Sequence, residues 1–122
     1  MTSVAPAGWP RDLPPPFTDQ FGAAVTGWLL DRGPGEWRAH PVLRQFPQGL
    51  GLLVADHLAA QLTGLRQSYR SVRSELADAV PPDRMGDLLA AIEAQAAVVT
   101  ESARQVELVR EALAGTRWRP RL

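Results

Sequence analysis

Apolar residues along this chain fall into blocks at helical spacing. In the first block Phe21, Ala24, Val25, Trp28 and Leu29 recur at three- and four-residue steps and make one stripe. They predict a helix over 18–32. Thr18 suits its N-cap, and Asp19 favours the positive end of the helix dipole. The run Arg32-Gly33-Pro34-Gly35 ends it, with Gly33 as C-cap and Pro34 barring continuation. Pro41 and Pro47 then divide the next segment, which predicts one or two short helical turns. Trp37, Val42, Leu43 and Phe46 are its candidates to cover the end of a core.

Two much longer patterns follow. From about Pro47, a residue type tolerated at a first helical position, a helix is predicted to 79. Its apolar seam is Ala55, Leu58, Leu62, Leu65, Tyr69, Val72, Leu76 and Ala79. A second runs over 83–114 with the seam Met85, Leu89, Ile92, Ala96, Val99, Ala103 and Val106, interrupted by Arg110 before Leu113. Both alternate steps of three and four, the spacing of a coiled-coil seam. Gly115 is a natural stop.

Pro81 and Pro82 separate these patterns. A kink in one continuous helix would leave a single seam running through the break. Here each arm carries its own complete seam, about 48 Å long at 1.5 Å per residue, and a short connection makes such arms antiparallel neighbours. The reversal is therefore expected at 80–82, with Pro82 stopping the first arm and Asp83 capping the second. In that register Arg66 and Arg73 flank one seam and Glu93 the other, close enough to pair across the interface.

The two ends of the hairpin differ. Toward the prolines each arm shows a narrow stripe. At the open end the apolar surface widens to Leu50, Leu52, Leu53, Val54 and Leu58 on one arm. The other arm carries Val98, Val106, Leu108, Val109 and Leu113 there. That breadth calls for a third helix, and the 18–32 stripe is the candidate. The expected fold is all-α: a long, coiled-coil-like antiparallel hairpin with a shorter N-terminal helix at its open end, a three-helix bundle. Residues 17–115 form this domain. Residues 1–16, with five prolines, read as a flexible arm that Trp9 and Phe17 could anchor, and 116–122 as a free basic tail.

Composition narrows the chemistry. Formal net charge is zero, so no overall field steers the chain toward nucleic acid or anionic lipid, and no repulsion keeps copies apart. The absence of cysteine excludes disulfides and thiolate metal sites. No N-terminal basic segment precedes an apolar run, and no apolar run is long enough to cross a membrane, so a cytoplasmic protein is expected. A two-helix arm buries little of its surface, which favours a homodimer.

Candidates for catalysis are thin. Glu36 and His40 share one face if helical, and Asp56 and His57 are adjacent, but a metal site needs three or four clustered donors. Ser68, Ser71, Ser74 and Ser102 have no histidine near them in the hairpin register, and no glycine pattern cradles phosphate. The expectation is no enzyme, no metal and no cofactor. Binding candidates are clearer. Arg66, Arg70 and Arg73 form a basic strip on one helix face, and Arg117, Trp118, Arg119 and Arg121 a basic aromatic tail. Arg and Trp are enriched among binding hot spots. The Pro-rich arm also suits an aromatic groove on a partner. The expected function is a non-catalytic protein–protein interaction module: an adaptor, small regulator or assembly subunit that self-associates. The alternative is a nucleic-acid-associated regulator using the same arginines.

Overall fold

The computed structural model describes residues 4–119. Among them there is no strand. The helices are α1 (Asp19–Leu30), α2 (Pro41–Gln45), α3 (Pro47–Glu75) and α4 (Pro82–Leu113), with a 3₁₀ turn at Gly35–Ala39 between α1 and α2. Helices α3 and α4 are the antiparallel arms of a hairpin. Its register shows where the chain turns. Gln48 donates to the Leu113 carbonyl at 2.7 Å, and a Cβ on Gly51 would lie 3.1 Å from Arg110 Cγ. Both pairs are centred on the Val80–Pro81 bond, where the proline pair was expected to reverse the chain.

Details of the turn differ from expectation. Helix α3 ends at Glu75, not at 79. Leu76 leaves helical geometry with φ −112° and ψ 18°, and Ala79 and Val80 hydrogen-bond back to its carbonyl at 3.0 Å in a looser turn. A residue before proline is pushed out of the α region, so Val80 cannot extend the helix and the last turn unwinds with it. Pro82 does not stop the first arm; it occupies the first turn of α4. The Pro81 carbonyl accepts from Arg84 at 2.9 Å and Met85 at 3.2 Å. Asp83 consequently sits inside the first turn instead of capping it. At the other end, Gly115 at φ 94° closes α4 as a Schellman motif. Its N–H reaches the Ala112 carbonyl at 3.0 Å, and that of Thr116 the Glu111 carbonyl at 2.9 Å.

The N-cap of α1 is Thr18 as read: its hydroxyl accepts from the Phe21 N–H at 3.1 Å and donates to the Pro15 carbonyl at 2.8 Å. The helix ends sooner, at Leu30, with Asp31 as C-cap. Gly33 serves space, not a left-handed cap, since a Cβ there would lie 2.6 Å from the Trp37 ring.

The core is uneven along the hairpin. A main cluster at the open end joins Phe21, Val25, Trp28, Leu29 and Leu30 of α1 to Leu50, Val54 and Leu58 of α3 and Val99, Val106, Val109 and Ala112 of α4. A separate small cluster near the turn holds Val72, Met85 and Leu89. Leu62, Leu65 and Ala103, which pack on the main cluster, are only half-buried between the two. The third helix thus covers the broad apolar end, as its stripe requires, and leaves the arm two-layered. Leu52, Leu53 and Val98 stay exposed even so. Of the segment entering α3, Trp37 and Leu43 reach the core, whereas Val42 and Phe46 face solvent, Phe46 at 62% exposure.

The proline-rich segment does not hang free. Leu13 belongs to the main cluster, and Pro10 and Pro16 are fully buried. Missing amide hydrogens are no handicap here, because the segment packs by ring surface and lends its carbonyls: Trp9 Nε1 donates to those of Leu13 and Pro14 at 3.2 Å. The tail is not free either. Trp118 packs edge-on against Trp9 with ring centroids 6.1 Å apart, and Trp9 contacts Phe21 at 5.8 Å. Among the described residues no helix is long and apolar enough to cross a membrane.

Candidate functional site

The arginine strip lies on the outer flank of α3, along the two-layered arm. Seven-residue spacing puts Arg66 and Arg73 on one line, with Arg70 beside it. Arg66 and Arg70 border a groove of about 230 Å³ between the arms, together with Tyr69, Leu65, Ile92, Glu93 and Ala96. Its floor is apolar because Leu65, Ile92 and Ala96 are seam residues with no third helix over them. Arg73 stands one turn nearer the proline turn and lowers the Tyr69 pKa slightly.

The ion pair expected across this groove is not made. Glu93 instead faces the Tyr69 hydroxyl, and the carboxylate, as acceptor and as charge, pushes the Tyr69 pKa above its usual value. Tyr69 occupies a seam position facing α4, whereas Arg66 lies to the outer side of that seam. Among the described residues none of the three arginines pairs with a carboxylate; Arg70 donates only to Gln67, at 3.1 Å. The pairs on α4 are local: Arg84–Asp87, Glu101–Arg104 and Glu107–Arg110, each one helical turn apart and exposed. Such pairs contribute about 0–1 kcal/mol each. The arm groove therefore holds two arginines, Arg66 and Arg70, against one carboxylate, with Arg73 one turn beyond it.

The second group of candidates sits at the opposite end. Arg117 stacks on the Phe17 ring, 4.1 Å from its centroid, and Trp118 is half-buried on Trp9; Arg119 is exposed. Arg121 lies outside the described residues. The tail and the strip are thus two surfaces, not one. Arg117 and Trp118 already serve the fold, which leaves the arm strip as the freer element.

A network at the open end escaped the sequence reading. Trp28 Nε1 donates to Asp12 at 2.9 Å, Arg32 pairs with Asp12 at 3.1 Å, and the Arg32 guanidinium stacks 3.6 Å over the Trp28 ring. The Trp28 hydrogen bond is the main influence holding the Asp12 carboxyl below its usual range, with Arg32 adding to it against desolvation. Arg104, tied to Glu101, also donates to the Gly8 carbonyl at 3.0 Å. These contacts fasten the N-terminal segment. No sequence spacing announces them, since Asp12 and Arg32 are brought together only by the chain's path.

The metal candidates do not converge. Glu36 and His40 bracket a 3₁₀ turn, where residues four apart point about 120° from each other. His57 is edge-on to Trp37, with ring centroids 5.6 Å apart. Among the described residues no three His, Asp or Glu side chains come together. Compared with known proteins, the chain matches no family model, no curated protein and no solved structure.

Proposed function

We propose that this chain is a non-catalytic helical interaction module, an adaptor, small regulator or assembly subunit of the cytoplasm, and that the two-layered arm is its docking element. One observation carries the reading. The arm's groove pairs an apolar floor with arginines that, among the described residues, form no ion pair, and the arm's seam residues Tyr69 and Leu76 remain 40% and 39% exposed. Seam positions left open are what a helical partner covers, and arginine on the rim supplies orientation and hydrogen bonds. The test is affinity capture from the source organism's lysate with the wild-type chain and with Arg66→Glu/Arg70→Glu/Arg73→Glu. A partner bound by the first and lost by the second supports the reading. Identical captured sets from two equally helical proteins would end it.

A second reading has its own observation. Three arginines at i, i+4 and i+7 that form no ion pair among the described residues, beside an exposed tyrosine, are also a phosphate-backbone strip with a stacking ring. Filter binding at low salt decides it. Retention of single-stranded or duplex probe, lost in the triple variant, would favour a nucleic-acid-associated regulator; no retention removes that reading.

A further inference from the structure

One face of the hairpin has the properties of a self-complementary surface. On α3 a line of seven-residue steps runs Leu52, Ala59, Arg66, Arg73, all exposed. On α4 the corresponding line runs Gly86, Glu93, Thr100, Glu107, also exposed. The two lines border the same face. Arg66 and Arg70 share the arm groove with Glu93, and Gln48 shares the open-end groove with Glu107. Between them lie Tyr69 and Leu76, and Leu52, on the α3 line, is 48% exposed. Beside the arm half of its line α4 carries only Ala90 and Ala97, so nothing bulky keeps another helix away there; the next residue of that row, Arg104, is tied to Glu101 and the Gly8 carbonyl.

We infer that a second copy of this chain covers this face, with the two hairpins side by side, their proline turns at the same end, and Arg66 and Arg70 of each against Glu93 of the other. This rests on the interaction reading above and names its partner. Charge selects the arrangement. The α3 line is basic along the arm and the α4 line acidic. A two-fold axis along the hairpin sets α3 of each copy over α4 of the other at the same level, so opposite signs meet. An axis across the hairpin would set α3 on α3 and bring arginines together. The chosen pairing also makes every helix antiparallel to both neighbours, as in a four-helix bundle. The formal net charge of zero leaves no general repulsion to overcome. Size is adequate. Helices of 29 and 32 residues lying about 10 Å apart present a face on the order of 800 Å², the share each partner contributes to a standard stable interface.

The test is light scattering after gel filtration and sedimentation equilibrium over about 1–100 μM, with circular dichroism as the check on folding. Wild type is expected at twice the 13.3 kDa chain mass. Glu93→Arg alone, and Arg66→Glu/Arg70→Glu alone, are each expected to weaken the dimer at least tenfold, and all three substitutions together to restore it to within a few-fold. Because the chain has no cysteine, Asp78→Cys carries a single spin label in the turn of an otherwise unaltered protein. Paired turns give a label distance of about 20–30 Å, whereas turns at opposite ends give about 40 Å or more. A monomer at 100 μM, charge reversals without effect, a swap that fails to restore, or the long distance each overturns the inference. A monomeric protein that still loses a captured partner through the Arg66/Arg70/Arg73 variant overturns the second copy and leaves the interaction reading standing; one that captures nothing ends both.

Discussion

Truncating one leucine at each end of the hairpin separates a three-layered core from a two-layered one. Leu29 is 0% exposed and is enclosed by side chains of α1, α3 and α4 in the main cluster. Leu29→Ala removes side-chain carbons worth about 2–2.5 kcal/mol in transfer free energy. Walls on all sides cannot close over the void, so the cavity term brings the cost to about 4 kcal/mol, high in the range for such changes. Leu89 is almost as buried, at 4%, yet its neighbours are only Val72 and Met85 with Val80, Leu88 and Ile92 around them. Two helices with solvent on either side can settle inward, and the flexible Met85 side chain can fill the gap. Leu89→Ala should therefore cost about 2 kcal/mol. Urea unfolding followed by far-ultraviolet circular dichroism measures both, at one fixed protein concentration so that association affects each equally. With a common m-value the Leu29→Ala midpoint falls roughly twice as far. Equal losses, or a larger loss for Leu89→Ala, would show that the arm is as enclosed as the open end and would refute the uneven-core account.

Three further expectations follow from individual contacts. Tyr69 is the single tyrosine, so its ionisation can be followed by ultraviolet absorbance. Glu93→Gln should move the midpoint down toward 10.0, and an unmoved curve would mean that Glu93 does not hold the hydroxyl. The folded-state pKa of Asp12 lies below its ordinary 3.8, so its contribution to stability is present above that value and disappears as pH falls through the lowered one. Asp12→Asn should flatten the acid limb of a stability–pH curve below about pH 4, with both proteins converging at the lowest pH; parallel limbs would contradict this. Gly115→Ala should cost about 1 kcal/mol in thermal or urea unfolding, because φ 94° strains any side chain.

Most of the helical layout was legible, and particular residues show why. Thr18, Pro47 and Gly115 mark helix ends by local chemistry that operates whatever the surroundings. The paired seams gave the hairpin and its register, because each arm has to bury its own stripe. Asymmetry was readable too, from the widening of apolar surface at Leu50–Leu58. What failed depended on distant chain. Residues 1–16 looked unfit for structure because proline makes no ladder, yet Pro10, Leu13 and Pro16 are buried, Leu13 in a cluster drawn from α1, α3 and α4 that no window of sequence contains. Trp118 was read as a free binding residue for the same reason. The arginine strip was visible as a strip. Its groove was not, since Tyr69 and Glu93 lie on different arms and come together only through the hairpin's register.

Because Trp9 meets Trp118, the two ends of the described chain are stapled to each other across the open mouth of the bundle. Tension applied through both ends would load that aromatic clasp directly and first, prising rings apart one contact at a time before any helix is stretched. The hairpin beyond it, out of the line of pull, would keep its shape until the clasp and α1 had peeled away. Mechanical failure should accordingly begin where the static core is thickest.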